Sequence, residues 1–257
     1  MQKTTWLVTL GMLLVLGVLR AEAQIIDWDD RAFFNVNFGY QTQSHDFDST
    51  KTFSLYGETA TLRAGHEIGS GALLDLSGGV RVWRNVAIGI GYSRFQNTDD
   101  IIVQASLPHP VFFDRPRSVS VPATGLEHSE SAIHVFGLWM LPVSDNMDVA
   151  IFLGPTFFSV KQDLVTDVQT PQPETPPFTG AVTGVIKNTA DDNAVGLNIG
   201  IDWSYMVTPQ FGGGLFLRYS GASVDLSAAG QEVSMDVGGF QFGLGLRVRF
   251  QELPFFP

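Results

Sequence analysis

The chain has no cysteine among its 257 residues. That absence removes disulfide frameworks, thiolate zinc sites, iron–sulfur clusters and a lipidated cysteine anchor together. Charge is scarce as well, at 16% of residues, and it is skewed to a formal net charge of −11. Phosphate binding needs a basic face, so the acidic balance argues against a nucleic-acid partner. Beyond the first two dozen residues no apolar run approaches the roughly 20 residues that a spanning helix needs. Hydrophobic content is nevertheless an ordinary 44%, too high for a disordered chain. What is plentiful is glycine, at 27 residues, and phenylalanine, at 20.

Residues 1–23 read as a secretory signal peptide. Lys3 supplies the positive start, and Trp6–Leu19 the apolar run. Ala21-Glu22-Ala23 is a small-x-small cleavage site. The run is about 14 residues, short for a transmembrane anchor. The mature chain is expected to start at Gln24, with one domain over 24–250 and a short tail over 251–257.

From there a period of two recurs. Phe240, Phe242, Leu244, Leu246, Val248 and Phe250 alternate with Gly239, Gln241, Gly243, Gly245, Arg247 and Arg249. Val195, Leu197, Ile199, Ile201, Trp203 and Tyr205 alternate with Gly196, Asn198, Gly200, Asp202 and Ser204. Residues 32–41 and 86–93 behave likewise, and 72–83, 131–142, 148–161 and 211–223 complete eight predicted strands. One greasy face at period two is a strand pattern that a helix would scatter around its circumference. Short connections follow the even strands. Long loops, roughly 44–70, 98–130, 162–192 and 224–235, follow the odd ones.

Two features select a membrane barrel over a soluble sandwich or barrel. The polar face is mostly Gly, Asn and Ser, with too few charges to coat a water-facing exterior. The aromatic residues also fall in two bands: Tyr40, Tyr92 and Tyr219 at the long-loop end, Trp139, Trp203, Tyr205, Phe211 and Phe250 at the short-turn end. Paired girdles mark the two interfaces of a bilayer. Strict alternation points Trp83 inward, against the pattern.

The segments FNVNFGYQTQ (34–43), GGVRVWRNVAIGIGY (78–92) and GFQFGLGLRVRF (239–250) resemble the bacterial outer membrane protein β-barrel domain family, the small OmpA/OmpX-like or OmpW-like barrels. The resemblance implies an eight-stranded antiparallel up-and-down transmembrane β-barrel in the outer membrane of a Gram-negative-type bacterium, preceded by a cleavable signal peptide. It also implies partners: outer-membrane lipid, and the assembly machinery that reads a terminal strand ending in Phe. This chain departs from that signal by continuing from Gln251 to Pro257.

With the greasy face on lipid, the other face fills a lumen just wide enough for side chains. Asn35, Asn37, Asp75, Arg81, Asn198, Asp202, Arg218, Gln241, Arg247 and Arg249 are expected there, with Arg–Asp pairs inside a polar plug. The corresponding function is non-enzymatic: envelope structure, and surface interaction through long extracellular loops that could hold a ligand, by a monomer. The alternative is a narrow or gated pore with the arginines as its constriction, an alternative that abundant lumen glycine keeps open.

No catalytic spacing stands out. Four of the five histidines, His45, His66, His109 and His128, fall in the long loops, where His128 and Glu130 read as solvated loop chemistry. His134 is expected to form hydrogen bonds in the lumen. No metal or cofactor site is expected. The stretch 98–130 is unusually apolar for a loop. Either its strands continue above the membrane while Val111, Phe112 and Phe113 fold over the mouth, or those residues form an exposed patch. PQPETPP (171–177) reads as extended and mobile. Residues 52–68 read as a hairpin projecting from the first loop, with a ten-stranded barrel as the competing count.

Overall fold

A computed structural model describes residues 28–42, 45–170, 174–179 and 182–252. The signal peptide and the end of the tail lie outside the described residues. Ten strands follow in order: β1 (Ala32–Gln41), β2 (His45–Leu55), β3 (Glu58–Ile68), β4 (Gly71–Trp83), β5 (Val86–Leu107), β6 (Arg117–Ser144), β7 (Met147–Gln169), β8 (Gly184–Met206), β9 (Phe211–Ala228) and β10 (Gln231–Phe250).

All pairings are antiparallel. Eight strands close a ring in the order β1-β4-β5-β6-β7-β8-β9-β10, with β10 returning to β1. The remaining two, β2 and β3, form a hairpin docked on the upper part of β5 through Thr61–Ala64 against Val103–Ser106. The hairpin stacks above β1 and β4 and does not widen the ring, so the barrel is eight-stranded. Its turn residues Tyr56 and Gly57 both have positive φ, as do Ala229 and Gly230 between β9 and β10. Two consecutive left-handed residues make the tight hairpin turn whose twist matches the flanking strands, and glycine adopts that conformation without strain.

In the lower half of the ring the outward residues are apolar and exposed. On β8 these are Val195, Leu197, Ile199, Ile201, Trp203 and Tyr205. About 9–11 residues of tilted strand cross a bilayer, which is the length of this run. All eight interface aromatics expected from the sequence are exposed. Tyr40 shares a hydrogen bond with Ser70 (2.9 Å), and Tyr92 donates one to Ser131 (3.4 Å). Each phenol thus meets a hydroxyl where the apolar band ends. Trp83 is 66% exposed rather than inward, because the β4–β5 register slips between Arg81 and Trp83.

The loops beyond that band are mostly strand, which corrects their assignment as long loops. Along β9 the inward positions run Phe216, Arg218, Ser220, then Val224, Leu226 and Ala228; the outward ones run Leu215, Leu217, Tyr219, then Ser223, Asp225 and Ser227. The facing never breaks, yet the chemistry swaps sides. β10 does the same, with Val233, Met235 and Val237 inward against Glu232, Ser234 and Asp236 outward. Above the band the barrel obeys the rule for water: polar outside, apolar inside. Its upper interior is therefore a dry core that includes Phe47, Phe95, Phe158, Val160, Leu226 and Met235.

The short-turn end is also filled. Trp28, Phe33, Phe136, Leu138 and Phe152 form a buried cluster. Several inward glycines make room for rings: a Cβ on Gly79 would lie 2.7 Å from Phe33, on Gly89 2.5 Å from Phe136, on Gly200 2.4 Å from Phe152, and on Gly243 2.6 Å from Phe216. Lumen glycine therefore marks aromatic packing and not open space.

Leu226→Ala, in the dry upper core, should cost about 2–5 kcal/mol in denaturant unfolding of the refolded barrel. Leu217→Ala, outward in the apolar band on the same strand, should cost clearly less, because lipid fills the space.

Candidate functional site

Between the two apolar layers lies a polar one. Arg247 is fully buried; its Nε and Nη2 donate to Asp202 at 3.0 and 2.7 Å, and its Nη1 donates to Asn37. Asn37 donates to Asp75 (2.8 Å), which also takes Arg218 Nη1 (2.7 Å). Arg218 Nε donates to Gln241 (2.7 Å), Gln241 to Gln41 (2.7 Å), and Gln41 to the Gly238 carbonyl (2.8 Å) and Glu130 (3.4 Å). Downward, Ser204 bridges Asp202 (3.0 Å) and Arg249 (2.9 Å), and Arg249 lies 3.9 Å from Asp30 with its guanidinium over the Trp28 and Phe33 rings. The predicted Arg–Asp pairs are thus Arg247–Asp202 and Arg218–Asp75.

Alternation explains why these side chains converge. Each sits at an inward position on its strand, and register brings Asn37, on β1, level with Gly245 on β10 and Asp75 on β4. Asn198 lies on the inner wall and donates to Thr156 (2.8 Å) and to the Gly154 and Pro155 carbonyls. Two predicted members stand apart. Asn35 is buried, but its Oδ1 has no hydrogen-bond partner. Arg81 sits at the short-turn end, where it donates to the Trp28 carbonyl.

Sequence reasoning missed the upper rungs. His128 and Glu130 were assigned to a solvated loop, yet both are buried on β6. His128 Nε2 meets Glu130 Oε1 at 3.0 Å and its Nδ1 meets Gln162 at 2.7 Å, while Glu130 Oε2 accepts the Gly238 amide at 3.0 Å. The alternation Leu126, His128, Glu130, Ala132, His134 was the available signal.

The other histidines also serve structure. His134 is buried with Ser93 Oγ at 2.9 Å from Nε2 and Thr156 Oγ1 at 2.8 Å from Nδ1, so hydroxyls occupy both nitrogens and no carboxylate orients the ring as a base. His66, expected in a loop, is buried on β3, stacked on Phe47 at 4.5 Å and 3.2 Å from Ser49. Burial lowers its pKa from 6.5 to about 4. His109 accepts the Val111 and Phe112 amides. Among the described residues no group of three or more His, Asp or Glu is placed to hold a metal ion.

At the hairpin end, Arg117 and Glu174 together tie three tips. Arg117 pairs with Glu174 and donates to the Phe178 and Pro108 carbonyls at 2.8 and 2.7 Å, while Tyr56 donates to Glu174 at 3.3 Å. Glu174, in the stretch expected to be mobile, is therefore held. Val111, Phe112 and Phe113 do not fold over the mouth; they project from the tip, with Phe113 73% exposed.

No protein-family model matches the sequence, and neither does any curated protein. Solved structures do. Neisserial surface protein A is 14% identical, covering 85% of this chain and 99% of its own, with a TM-score of 0.44. The outer membrane protein OprG from Pseudomonas aeruginosa is 11% identical, covering 86% and 97%, with a TM-score of 0.45. The outer membrane protease OmpT from Escherichia coli is 9% identical, covering 90% and 100%, with a TM-score of 0.43.

Arg247→Ala strands the Asp202 carboxylate and should destabilise the barrel by about 3–5 kcal/mol. The Arg247→Ala/Asp202→Ala double variant should lie closer to wild type than the single one; strictly additive losses would show that the pair is uncoupled. His66 supplies a pH test. Its folded pKa lies below its unfolded value, so its stabilisation is fully present above about pH 6.5 and is lost as pH falls toward 4. Amide protection factors in β2 and β3 should therefore drop across that window, and His66→Gln should flatten the drop.

Proposed function

We propose that this chain is an outer-membrane barrel of a Gram-negative-type bacterium that works as a plugged, rigid stalk. In this reading it stabilises the envelope and carries an interaction surface on its extracellular tips, without catalysis. The observation that carries the reading is the occupied lumen. Dry core, polar network and aromatic cluster succeed one another along the barrel, and the cavity between Asn37, Asp75, Asp202, Phe216 and Arg218 measures about 30 Å³, room for little more than a water molecule.

Four further features support it. The apolar belt with its two aromatic girdles matches the surface that lipid requires, which gives outer-membrane lipid as the partner around the wall. The closing strand β10 ends in Phe250, opposite Ala32, the residue type with which an assembly signal closes its strand, although here Gln251–Pro257 follow it. The apolar tip Val111-Phe112-Phe113 stands on a clamped base, and exposed apolar clusters of this kind mark interaction sites. No second subunit is needed to complete the ring, in keeping with a monomer.

Planar-bilayer recording of the refolded mature chain tests the proposal against the pore alternative. Demonstrably inserted protein should give no discrete openings. Reproducible openings with anion preference would overturn the plugged reading and make Arg218 and Arg247 a constriction.

A further inference from the structure

One hairpin loses its ladder on both sides. β8 and β9 pair from Met206/Gly212 up to Leu197/Gly221 and then part. β1 leaves β10 at Gln41/Gln241, with one more bond from the Thr42 amide to the Phe240 carbonyl. Above these rungs residues 222–228 of β9 and 231–237 of β10 pair with each other. Among the described residues neither strand has a second ladder there, since β2 stands beside β10 without one. The β7–β8 pair also rises past its other ladder, above His128/Gln162. That pair is tied, however: Lys187 donates to the Thr124 and Gly125 carbonyls at 3.1 and 2.8 Å, and Arg117 holds Glu174.

The base of the β9–β10 hairpin can bend. Gly238 and Gly239, in the middle of β10, have φ of 88° and 138°, a backbone that glycine takes without strain. A Cβ on Gly238 would lie 2.3 Å from the Ser220 carbonyl oxygen. Gly238 pairs with Gly221, the residue at which β9 leaves β8. Glycine on both strands thus falls where the outer ladders have ended. The fixed wall latches this rung: Glu130 accepts the Gly238 amide at 3.0 Å, and Gln41 donates to its carbonyl at 2.8 Å.

Above the hinge the hairpin is seated by apolar contact. Val224, Leu226 and Met235 join Phe47 and Phe158 in the dry core. At the tip Lys51 donates to the Ala229 carbonyl. The closed position also carries a cost. Gln231 is buried, and both polar atoms of its side-chain amide lack a hydrogen-bond partner, a deficit that water would make good.

We infer that residues 222–237 form a flap that swings on Gly221 and Gly238–Gly239 and uncovers the upper core to external water. A few residues suffice to absorb the change in φ and ψ at such a hinge. In the open position Gln231 is hydrated, and Phe47 and Phe158 are reachable from outside. The polar network and aromatic cluster below the hinge stay in place, so opening makes a chamber and not a channel.

The absence of native cysteine allows a direct test. Val224→Cys and Val103→Cys are made singly, both at buried positions. The first lies on the flap, the second on β5 between ladders to β3 and β6. Each refolded mature chain is inserted into phosphatidylcholine vesicles, checked by brominated-lipid quenching of tryptophan, and treated with N-ethylmaleimide. The flap cysteine should react at least about tenfold faster than the wall cysteine. Gln231→Met removes the unpaired amide and should slow the flap cysteine, whereas Lys51→Ala removes the tip tether and should quicken it. Neither should move the wall cysteine. If Val224→Cys fails to insert, Ala228→Cys, also inward on the flap, takes its place. Equal rates at the two cysteines, or variants that shift both alike, would overturn the inference.

Discussion

A guanidinium inside a wall of lipid has to be answered by protein, and the Arg247–Asp202 pair is where the lumen answers it. The contact is bidentate and fully enclosed, the geometry in which a planar guanidinium and a carboxylate satisfy each other best. The central polar chain hangs from it. Upward run Asn37, Asp75, Arg218, Gln241, Gln41 and Glu130; downward run Ser204, Arg249 and Asp30. The members come from β1, β4, β6, β8, β9 and β10, so the chain of bonds ties strands that are not ladder neighbours. A buried ion pair is weak evidence for net stability. Its stronger effect here is on register: a one-residue slip of any strand would turn an arginine or aspartate toward lipid, at a cost no alternative pairing recovers.

The second constraint is the change of solvent along each strand. Pleating alone decides which residues face in, and it runs unbroken through β9 from Phe216 to Ala228. What changes is the medium outside. Beside lipid the exterior is Leu215, Leu217 and Tyr219; beside water it is Ser223, Asp225 and Ser227. The interior inverts in step, from Arg218 and Ser220 to Val224 and Leu226. The strand hairpin β2–β3 belongs to the watery half, where Leu62 and Ala64 join the dry interior with Val103 and Ala105 of β5. A projecting hairpin therefore adds height to the barrel without adding to its circumference.

That inversion separates what was legible in the sequence from what was not. Strands in the lipid belt were plain because Val195–Tyr205 and Phe240–Phe250 combine alternation with bulk and lack of charge. Their continuations alternate as regularly, but Glu232, Ser234 and Asp236 carry the polarity of a loop, and so were read as one. The same error placed His66 and His128 in water when inward alternation buries both. The core of the polar network, Asp75, Asp202, Arg218, Gln241 and Arg247, was legible because a charge on the lean face of a lipid-bound strand has only the lumen to enter. Gln41 and Glu130 were not, since they sit where the two regimes meet. Trp83 depended on a register slip, and the aromatic filling over Gly79, Gly89, Gly200 and Gly243 on ring positions, neither of which has a signature in one strand's pattern.

The buried polar atoms left without partners are the exceptions to this pairing. Most of the inward charge is paired, so an unmet group is informative. Asn35 Oδ1 lies on the small cavity beside Asp75 and Asp202, where one water would satisfy it. Asn198 Oδ1 and Ser220 Oγ are enclosed too, on the inner wall at a rung where β8 and β9 are still paired. Above Leu197/Gly221 the ladder ends between two strands that are each well paired on their other side, so the split is not fraying at a strand end. A barrel sealed along its axis by three successive layers of side chains is closed sideways at the Asn198/Ser220 rung as well, so its unmet polar groups answer to the interior and not to the lipid outside.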